Sequence, residues 1–409
     1  MTLFVLVVFG LTYLGMALGR LPWLQLDRSG ICLVAAIVLA AGGAVTPAGA
    51  LAAIDFPTLL LLFALMILSA QFAASGFYDR AAAALAAARL GPARLLAATV
   101  ALGGGLSALL TNDVVVFALT PLLCAGLLRR GLDPRPYLIA LAGAANAGSA
   151  ATLIGNPQNI LIGELGGLDF WRFAAACGAP AALGCLIVHI VVWRLWRDRL
   201  AVAPAPGPAA LPPLDRWQLA RALIGTAALL ILFATPVPRP LAALAVAAVL
   251  LVSRRLASRT VLAHVDWPLL LLFAGLFVVN DALAATGLPA RAVEALTAAG
   301  WRLDSLAMQL PFALGASTTV GNVPAVALLL AVWPQPPAGA LYGLALLSTL
   351  AGNLLLQCSL ANIIVAERAA AAGVRLGFAE HARCGIPIAL ASLAAASAWL
   401  VGAGHLAPL

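Results

Sequence analysis

The chain has 409 residues, 64% hydrophobic and only 9% charged, where an ordinary soluble domain carries about 25% charged residues. A soluble globular protein is excluded, and no polar stretch is long enough to fold as a separate soluble domain. The formal charge of +8 is all arginine, and the absence of lysine excludes a Walker-A loop and lysine Schiff-base chemistry.

In chain order, apolar stretches near the ~20 residues needed to cross a bilayer recur at 2–19, 29–49, 57–77, 137–163, 173–193, 218–235, 241–253, 267–286, 341–366 and 384–403. Met1 to Gly19 lacks a basic n-region, so a first span fits better than a cleaved signal peptide. The stretches 137–163 and 341–366 contain polar, helix-breaking residues and read as broken helices. Two further segments, 95–128 and 306–333, carry Ser107-Ala-Leu-Leu-Thr111-Asn112-Asp113 and Ser317-Thr-Thr-Val-Gly321-Asn322-Val323 at their centres. Their arms of about 16 residues or fewer make roughly 24 Å of helix. That falls short of a ~30 Å hydrocarbon core, so each reads as a re-entrant helical hairpin.

This topology sorts the arginines sharply. Four of them (Arg172, Arg239, Arg291 and Arg302) face one side, and the other nineteen, Arg20 and Arg28 included, face the opposite side. By the positive-inside rule the nineteen are cytoplasmic and both termini are not. The expected location is the plasma (inner) membrane of a bacterium, multi-pass. The fold class expected is an all-α polytopic membrane protein with about ten transmembrane helices, two re-entrant hairpins and two broken helices.

The halves match in order. Ile54-Asp55-Phe56-Pro57 opens one span and Val265-Asp266-Trp267-Pro268 opens another; an arginine-bearing, Ala-rich stretch, a hairpin, a broken span and a closing span follow each. The hairpins enter from opposite faces, which makes an inverted-topology repeat. The expected divisions are 1–28 (first span and loop), 29–197 (repeat 1), 198–216 (a Pro/Ala-rich cytoplasmic linker, read as an unstructured tether) and 217–405 (repeat 2).

Polar backbone at membrane depth must be satisfied by a site or a cavity, and paired breaks in two halves point to a transporter's binding centre. Oxygen ligands suit sodium, and the sodium-ligand candidates are Ser107, Thr111, Asn112, Gly155, Ser317, Asn322 and Ser359. Half-helix N-termini suit an anion, and the solute-contact candidates are Asn112, Asp113, Asn156, Pro157, Asn159, Asn322, Val323, Ser359 and Asn362. Any one of these residues read alone is better explained by close helix packing; two symmetric sets favour a site. Asp113 is the sharpest residue. An ionisable group near the bilayer centre costs about 2.5–3.5 kcal/mol on insertion scales, so it is the candidate for proton coupling or cation ligation, against the simpler role of a hairpin cap. Asp281 is placed near the outer interface, Glu164 and Glu367 at solvated helix ends, and His189 on a packed apolar face. Five of the six cysteines read as small buried hydrophobes. Cys358 falls in the second break, where packing is still favoured over solute contact.

Ala150-Ala-Thr-Leu-Ile-Gly155-Asn-Pro-Gln-Asn159 resembles the G-T-P-P-N-type break of the ion-transporter superfamily. Ala351-Gly-Asn353 through Ala361-Asn362-Ile-Ile-Val-Ala-Glu367 resembles its second-half counterpart. That superfamily contains arsenite-efflux permeases, NhaD-type sodium/proton antiporters, citrate transporters and divalent-anion/sodium symporters, and the resemblance covers roughly residues 10 to 400. In the dicarboxylate symporters S-N-T at each tip holds sodium and a substrate carboxylate; here the triplets are Thr111-Asn112-Asp113 and Gly321-Asn322-Val323. The resemblance implies a secondary active transporter, not an enzyme, moving a small anion or oxyanion by alternating access with sodium or a proton. Its alternatives are a sodium/proton antiporter and an arsenite/antimonite efflux permease. The partners expected are the solute, a coupling cation, membrane lipid and a second copy in a homodimer. No nucleic acid and no cofactor beyond sodium ions is expected.

Overall fold

A computed structural model describes residues 1–18, 25–200, 211–333 and 335–408. Arg20 and residues 201–210 of the expected linker therefore lie outside the described residues. The described chain is helical, without a named strand. Its first half runs α1 (Thr2–Leu18), α2 (Arg28–Ala41), α3 (Pro47–Ala53), α4 (Phe56–Ala74), α5 (Phe77–Ala87), α6 (Pro92–Leu109), α7 (Asn112–Arg129), α8 (Arg135–Ser149), α9 (Pro157–Leu165) and α10 (Phe170–Trp196). The second half runs α11 (Arg216–Leu232), α12 (Arg239–Leu251), α13 (Ser258–Leu262), α14 (Trp267–Ala284), α15 (Leu288–Ala298), α16 (Leu306–Thr319), α17 (Asn322–Val332), α18 (Ala338–Ala351), α19 (Leu360–Ala371) and α20 (Phe378–Gly402). Six of them (α4, α6, α7, α10, α14 and α20) are long and apolar enough to cross a membrane.

The repeated sequence signatures fold into repeated local structures. Asp55 accepts the Thr58 N–H at 3.1 Å and Asp266 the Leu269 N–H at 3.0 Å. Each satisfies a donor the helix leaves orphaned, with proline just behind it where no N–H is needed. The short helices α3 and α13, which lead into these caps, were not anticipated from sequence.

Both central segments are helical hairpins. Arg130, just past α7, donates from Nη1 to the carbonyls of Ala86 and Ala88 at 2.8 and 3.2 Å, so the end of α7 returns to where α6 set out. Likewise Gln309 in α16 donates to the Ala340 carbonyl in α18 at 3.0 Å, which brings the start of the second hairpin beside the chain leaving it. The arms of the second hairpin are short, 14 and 11 residues, as expected. Those of the first are not: α6 and α7 have 18 residues each. The length argument for re-entry therefore fails for the first hairpin, because Pro92 and Arg129 extend the helix beyond the apolar run.

Packing crosses between the halves. α2 lies along α14 and α12 along α4, while α7 packs on α19 and α17 on α9. α8 and α18, buried along nearly their whole length, form the interior against which the hairpins rest, flanked by α10 and α20. Where α6 crosses α8, a Cβ on Gly148 would overlap the Gly104 carbonyl, so only glycine allows that approach. The described end of the linker is docked: Pro212 accepts from Arg80 at 3.1 Å, and the Asp215 N–H donates to the Ser75 carbonyl at 2.9 Å.

Candidate functional site

The two hairpin turns and the two helix breaks meet at one cavity of about 570 Å³. Its floor is built from the first residues of four helices: Asn112 and Asp113 of α7, Pro157 and Gln158 of α9, Asn322 and Val323 of α17, and Leu360 of α19. Each helix starts there because its predecessor cannot continue. The α6–α7 chain turns over Leu110 and Thr111, and the Asn112 N–H donates to the Gly155 carbonyl at 2.9 Å, which ties the first turn to the first break. Asn156 caps α9 by accepting the Asn159 N–H at 2.8 Å. Gly321 enters α17 at φ +92 and ψ 162, a backbone region open essentially to glycine alone.

Of the solute candidates, Asn112, Asp113, Asn156, Pro157, Asn322, Val323 and Ser359 line the cavity. Asn159 and Asn362 do not. Asn159 donates to the Ser149 and Thr152 carbonyls at 3.2 and 3.0 Å, and Asn362 to those of Gly352 and Leu355 at 2.9 and 3.2 Å. These two asparagines satisfy the carbonyls that each break exposes, the same task in each half.

Among the sodium candidates, Ser107, Thr111, Gly155 and Ser317 lie behind the lining. The hydroxyls of Ser107, Thr111 and Ser317 and the Asn322 Oδ1 are buried without a hydrogen-bond partner among the described residues. Buried polar atoms are normally paired, so these four oxygens are the candidates for holding a cation. Gly155 is committed instead, its carbonyl accepting from Asn112. Cys358 is buried and outside the lining.

Sequence reasoning missed the hub of the site. Asn146, buried in α8 and lining the cavity, donates to Asn353 Oδ1 at 2.9 Å and Asn362 Oδ1 at 3.0 Å. Its own Oδ1 accepts from Asn112 at 3.2 Å and from Ser359 at 2.9 Å. One side chain thus joins the first hairpin to the second break. Thr349 of α18 ties the second half to the first break, accepting from Gln158 at 2.8 Å and Asn156 at 3.4 Å. A signal for Asn146 existed: it is the one polar side chain in the small-residue run Gly143 to Gly148.

The charged residues also differ from expectation. Arg28, Asp27, Asp266 and Glu367 border the cavity, with Asp27 and Glu367 exposed at its mouth. Glu164 is not a solvated helix end. Its side chain is 10% exposed and contacts Arg239 at 2.9 Å, off the line of a true hydrogen bond. Arg239 also donates to the Leu168 and Gly163 carbonyls at 2.6 and 2.7 Å.

Residues 4–351 match the citrate transporter family (CitMHS). The chain belongs to that family. It is 29% identical over 374 residues to a 46 kDa membrane protein of Mycobacterium leprae, covering 85% of this chain and 86% of the relative. A silicon efflux transporter of rice is 30% identical over 206 residues, 50% of this chain and 42% of that protein. The crystal structure of the Alcanivorax borkumensis YdaH transporter shares the fold, with a TM-score of 0.56 at 19% identity over 98% of this chain and 97% of that one. This family member is accordingly an integral membrane transporter with apolar helices at its core, and the four helix starts at its cavity are the parts to explain.

Proposed function

We propose that this chain is a secondary active transporter for a small oxyanion or neutral oxyacid, coupled to sodium or protons. The convergence of four helix N-termini on one cavity floor carries the reading. Each N-terminus presents about half a positive elementary charge. Together they outweigh the single carboxylate of Asp113 on the floor and leave room for roughly one negative charge. A tricarboxylate is disfavoured by the carboxylates of Asp27 and Asp266, beside which Arg28 is the one cation among the described lining residues. A relative named for silicon efflux fits the uncharged end of this range.

Asn112, Asn146, Asn156, Asn322, Thr349 and Ser359 supply neutral donors and acceptors to the solute. The unpartnered hydroxyls of Ser107, Thr111 and Ser317 and the Asn322 Oδ1 take the coupling cation, and Asp113 links the two. The repeat unit in this reading is α1–α10 with α11–α20, so the first span belongs to the first repeat instead of preceding it. Both hairpins are re-entrant, with their turns at the midplane. The mouth residues belong to the arginine-rich side, so the cavity faces the cytoplasm here and both termini lie outside it.

Proteoliposomes given arsenite, silicate, phosphate, sulfate or citrate under imposed sodium or proton gradients test the reading. Gradient-driven uptake of a small oxyacid is expected, falling about tenfold or more in Asp113→Asn and Asn322→Ala, on the scale of losing an intramembrane functional group. Unchanged coupled flux in both variants would overturn the site. The unpartnered oxygens also favour a second reading, a sodium/proton antiporter. It alone predicts sodium-driven pH changes with no added solute.

A further inference from the structure

The two helix breaks keep one register. Asn159 and Asn362 each donate to the carbonyl of the residue ten positions earlier, Ser149 at 3.2 Å and Gly352 at 2.9 Å. Each also reaches the carbonyl seven positions earlier, Thr152 at 3.0 Å and Leu355 at 3.2 Å. Ser149 and Gly352 therefore hold the same place in the two halves, at the end of α8 and just past α18. What fills that place differs. In the first half it is a hydroxyl: Ser149 Oγ donates to the Asn146 carbonyl at 2.9 Å and accepts from Asn156 at 3.0 Å. In the second half glycine leaves a notch, and the amide of Asn322 lies against it. A Cβ on Gly352 would fall 2.6 Å from Asn322 Nδ2, too close for both to stay.

The asparagines of the two turns differ to match. Asn112 gives its Nδ2 to Asn146 at 3.2 Å and its Oδ1 to the Asp113 N–H at 2.9 Å, so both ends are used within the protein. Asn322 turns its Nδ2 to the notch, and its Oδ1 is left buried with no partner among the described residues. The notch borders the Thr349 carbonyl, 3.0 Å from the same Cβ position, which suits an amide N–H and not a second oxygen. Nitrogen and oxygen branch from one planar carbon, so seating the first decides where the second points.

We infer that Gly352 is a positioning residue for sodium at the second turn: the notch it leaves seats the Asn322 amide and so aims Oδ1 at the ion. This role rests on the cation reading proposed above. The first turn has no such free amide oxygen, because Asn112 spends its own on the backbone of Asp113. Gly352 is needed for space and not for backbone freedom, since φ −55 and ψ −21 suit any residue.

The test titrates sodium against the melting temperature of the full chain in nanodiscs, with choline chloride holding the ionic strength. Gly352→Ala presses on the free end of a side chain. The next neighbours, the Thr349 carbonyl at 3.0 Å and Ser359 Cβ at 3.3 Å, need yield only slightly. Without sodium the variant should therefore melt within about 2 °C of the parent. The sodium concentration at which stabilisation sets in should rise about tenfold or more, the scale of one lost contact to a charge. Asn322→Ala should shift it as far, and the double variant no further, because both act through one oxygen. A role in packing alone predicts the reverse, a lower melting temperature with the same sodium dependence, and that result would overturn the inference. If Gly352→Ala does not stay monodisperse, adding Asn322→Ala empties the notch and should recover it; a double variant that also fails sinks the idea. An unshifted response in Gly352→Ala, where sodium stabilises the parent, removes the notch and leaves the cation reading standing. A parent that sodium does not stabilise removes both.

Discussion

The two hairpin turns hold the same place in the two halves and are built differently. The first turns through ordinary backbone, and Asn112 fastens it twice, by its N–H to the Gly155 carbonyl and by its side chain to Asn146. It presents Asp113 to the cavity. The second turns through Gly321 at positive φ, leaves the Asn322 Oδ1 without a partner and presents Val323. Its known tie is the Tyr13 hydroxyl, which lies 3.2 Å from the Pro324 carbonyl and also bonds Asn280 at 2.9 Å. The first turn is thus knitted into the helix breaks and carries the charge. The second is tied through Tyr13 of α1, which also bonds Asn280 of α14, and is the looser in having fewer hydrogen bonds at its turn among the described residues. A pseudo-symmetric plan has been divided between a fixed, charged side and a loose, neutral one.

The largest effect expected is at Asn146, because its side chain binds the fixed turn to the second break. Asn146→Ala leaves the Asn353 and Asn362 carbonyl oxygens, the Ser359 hydroxyl and the Asn112 amide with buried, unmet bonds. At about 1–3 kcal/mol for each unsatisfied group, and with partial repair by water, a loss of roughly 3–5 kcal/mol follows. A large fall in detergent-solubilised melting temperature would show it. A fall no larger than that of Thr349→Val would mean that the first turn is not held as described.

The unpartnered hydroxyls give the next comparison. Ser107→Ala and Ser317→Ala each remove a buried oxygen with no protein partner, so neither should destabilise the sodium-free protein by more than about 0.5 kcal/mol. Sodium at about 100 times its dissociation constant should stabilise the parent by about 2.7 kcal/mol. Each variant should lose much of that increment. If only one does, the coupling ion belongs to one turn, and the asymmetry extends to the cation.

How much of this was visible in the chain depends on the range of the interaction. Thr111-Asn112-Asp113, Gly321-Asn322-Val323 and the two breaks stood out because polar and glycine residues inside apolar runs are a local signal. The caps at Asp55 and Asp266 were local too. Arg239 and Glu164 were invisible as a pair, since nothing in the 75-residue separation requires them to meet; each alone looks like a solvated helix end. Arg28 was counted for orientation and not as cavity lining, because only the tertiary packing of α2 on α14 brings it beside the second turn. Asn159 and Asn362 misled in the other direction. A polar residue in a break looks like a ligand whether it faces the cavity or the backbone it repairs.

Gly321→Ala probes the loose turn directly. An alanine at φ +92 and ψ 162 is strained by about 1–3 kcal/mol, and no neighbour crowds the position closer than 3.9 Å, so the cost is conformational. The measurement is the melting temperature with and without sodium. A drop of that size that sodium partly reverses fits a turn whose geometry the ion helps to hold. No drop at all would mean that the second turn relaxes into another conformation, which would make it looser still.

The smallest effect lies far from both turns, where Asp133 and Arg135 join the loop before α8 to Glu380 at the start of α20. Burial works against the charged form of Asp133, but the hydrogen bonds and charge of Arg135, at 2.7–3.0 Å, win and hold the carboxyl below its ordinary value. A group whose folded pKa is depressed stabilises the fold above its unfolded pKa, near 4, and loses that contribution as the pH falls through the folded value. Asp133→Asn should therefore lower the melting temperature slightly at pH 7, by an amount that shrinks below pH ~4 and vanishes in stronger acid. The side chains are 24% and 32% exposed, so solvent screening keeps the effect under about 1 kcal/mol. A deficit that persists unchanged in acid would mean that the loop, not the charge, is what the substitution disturbs.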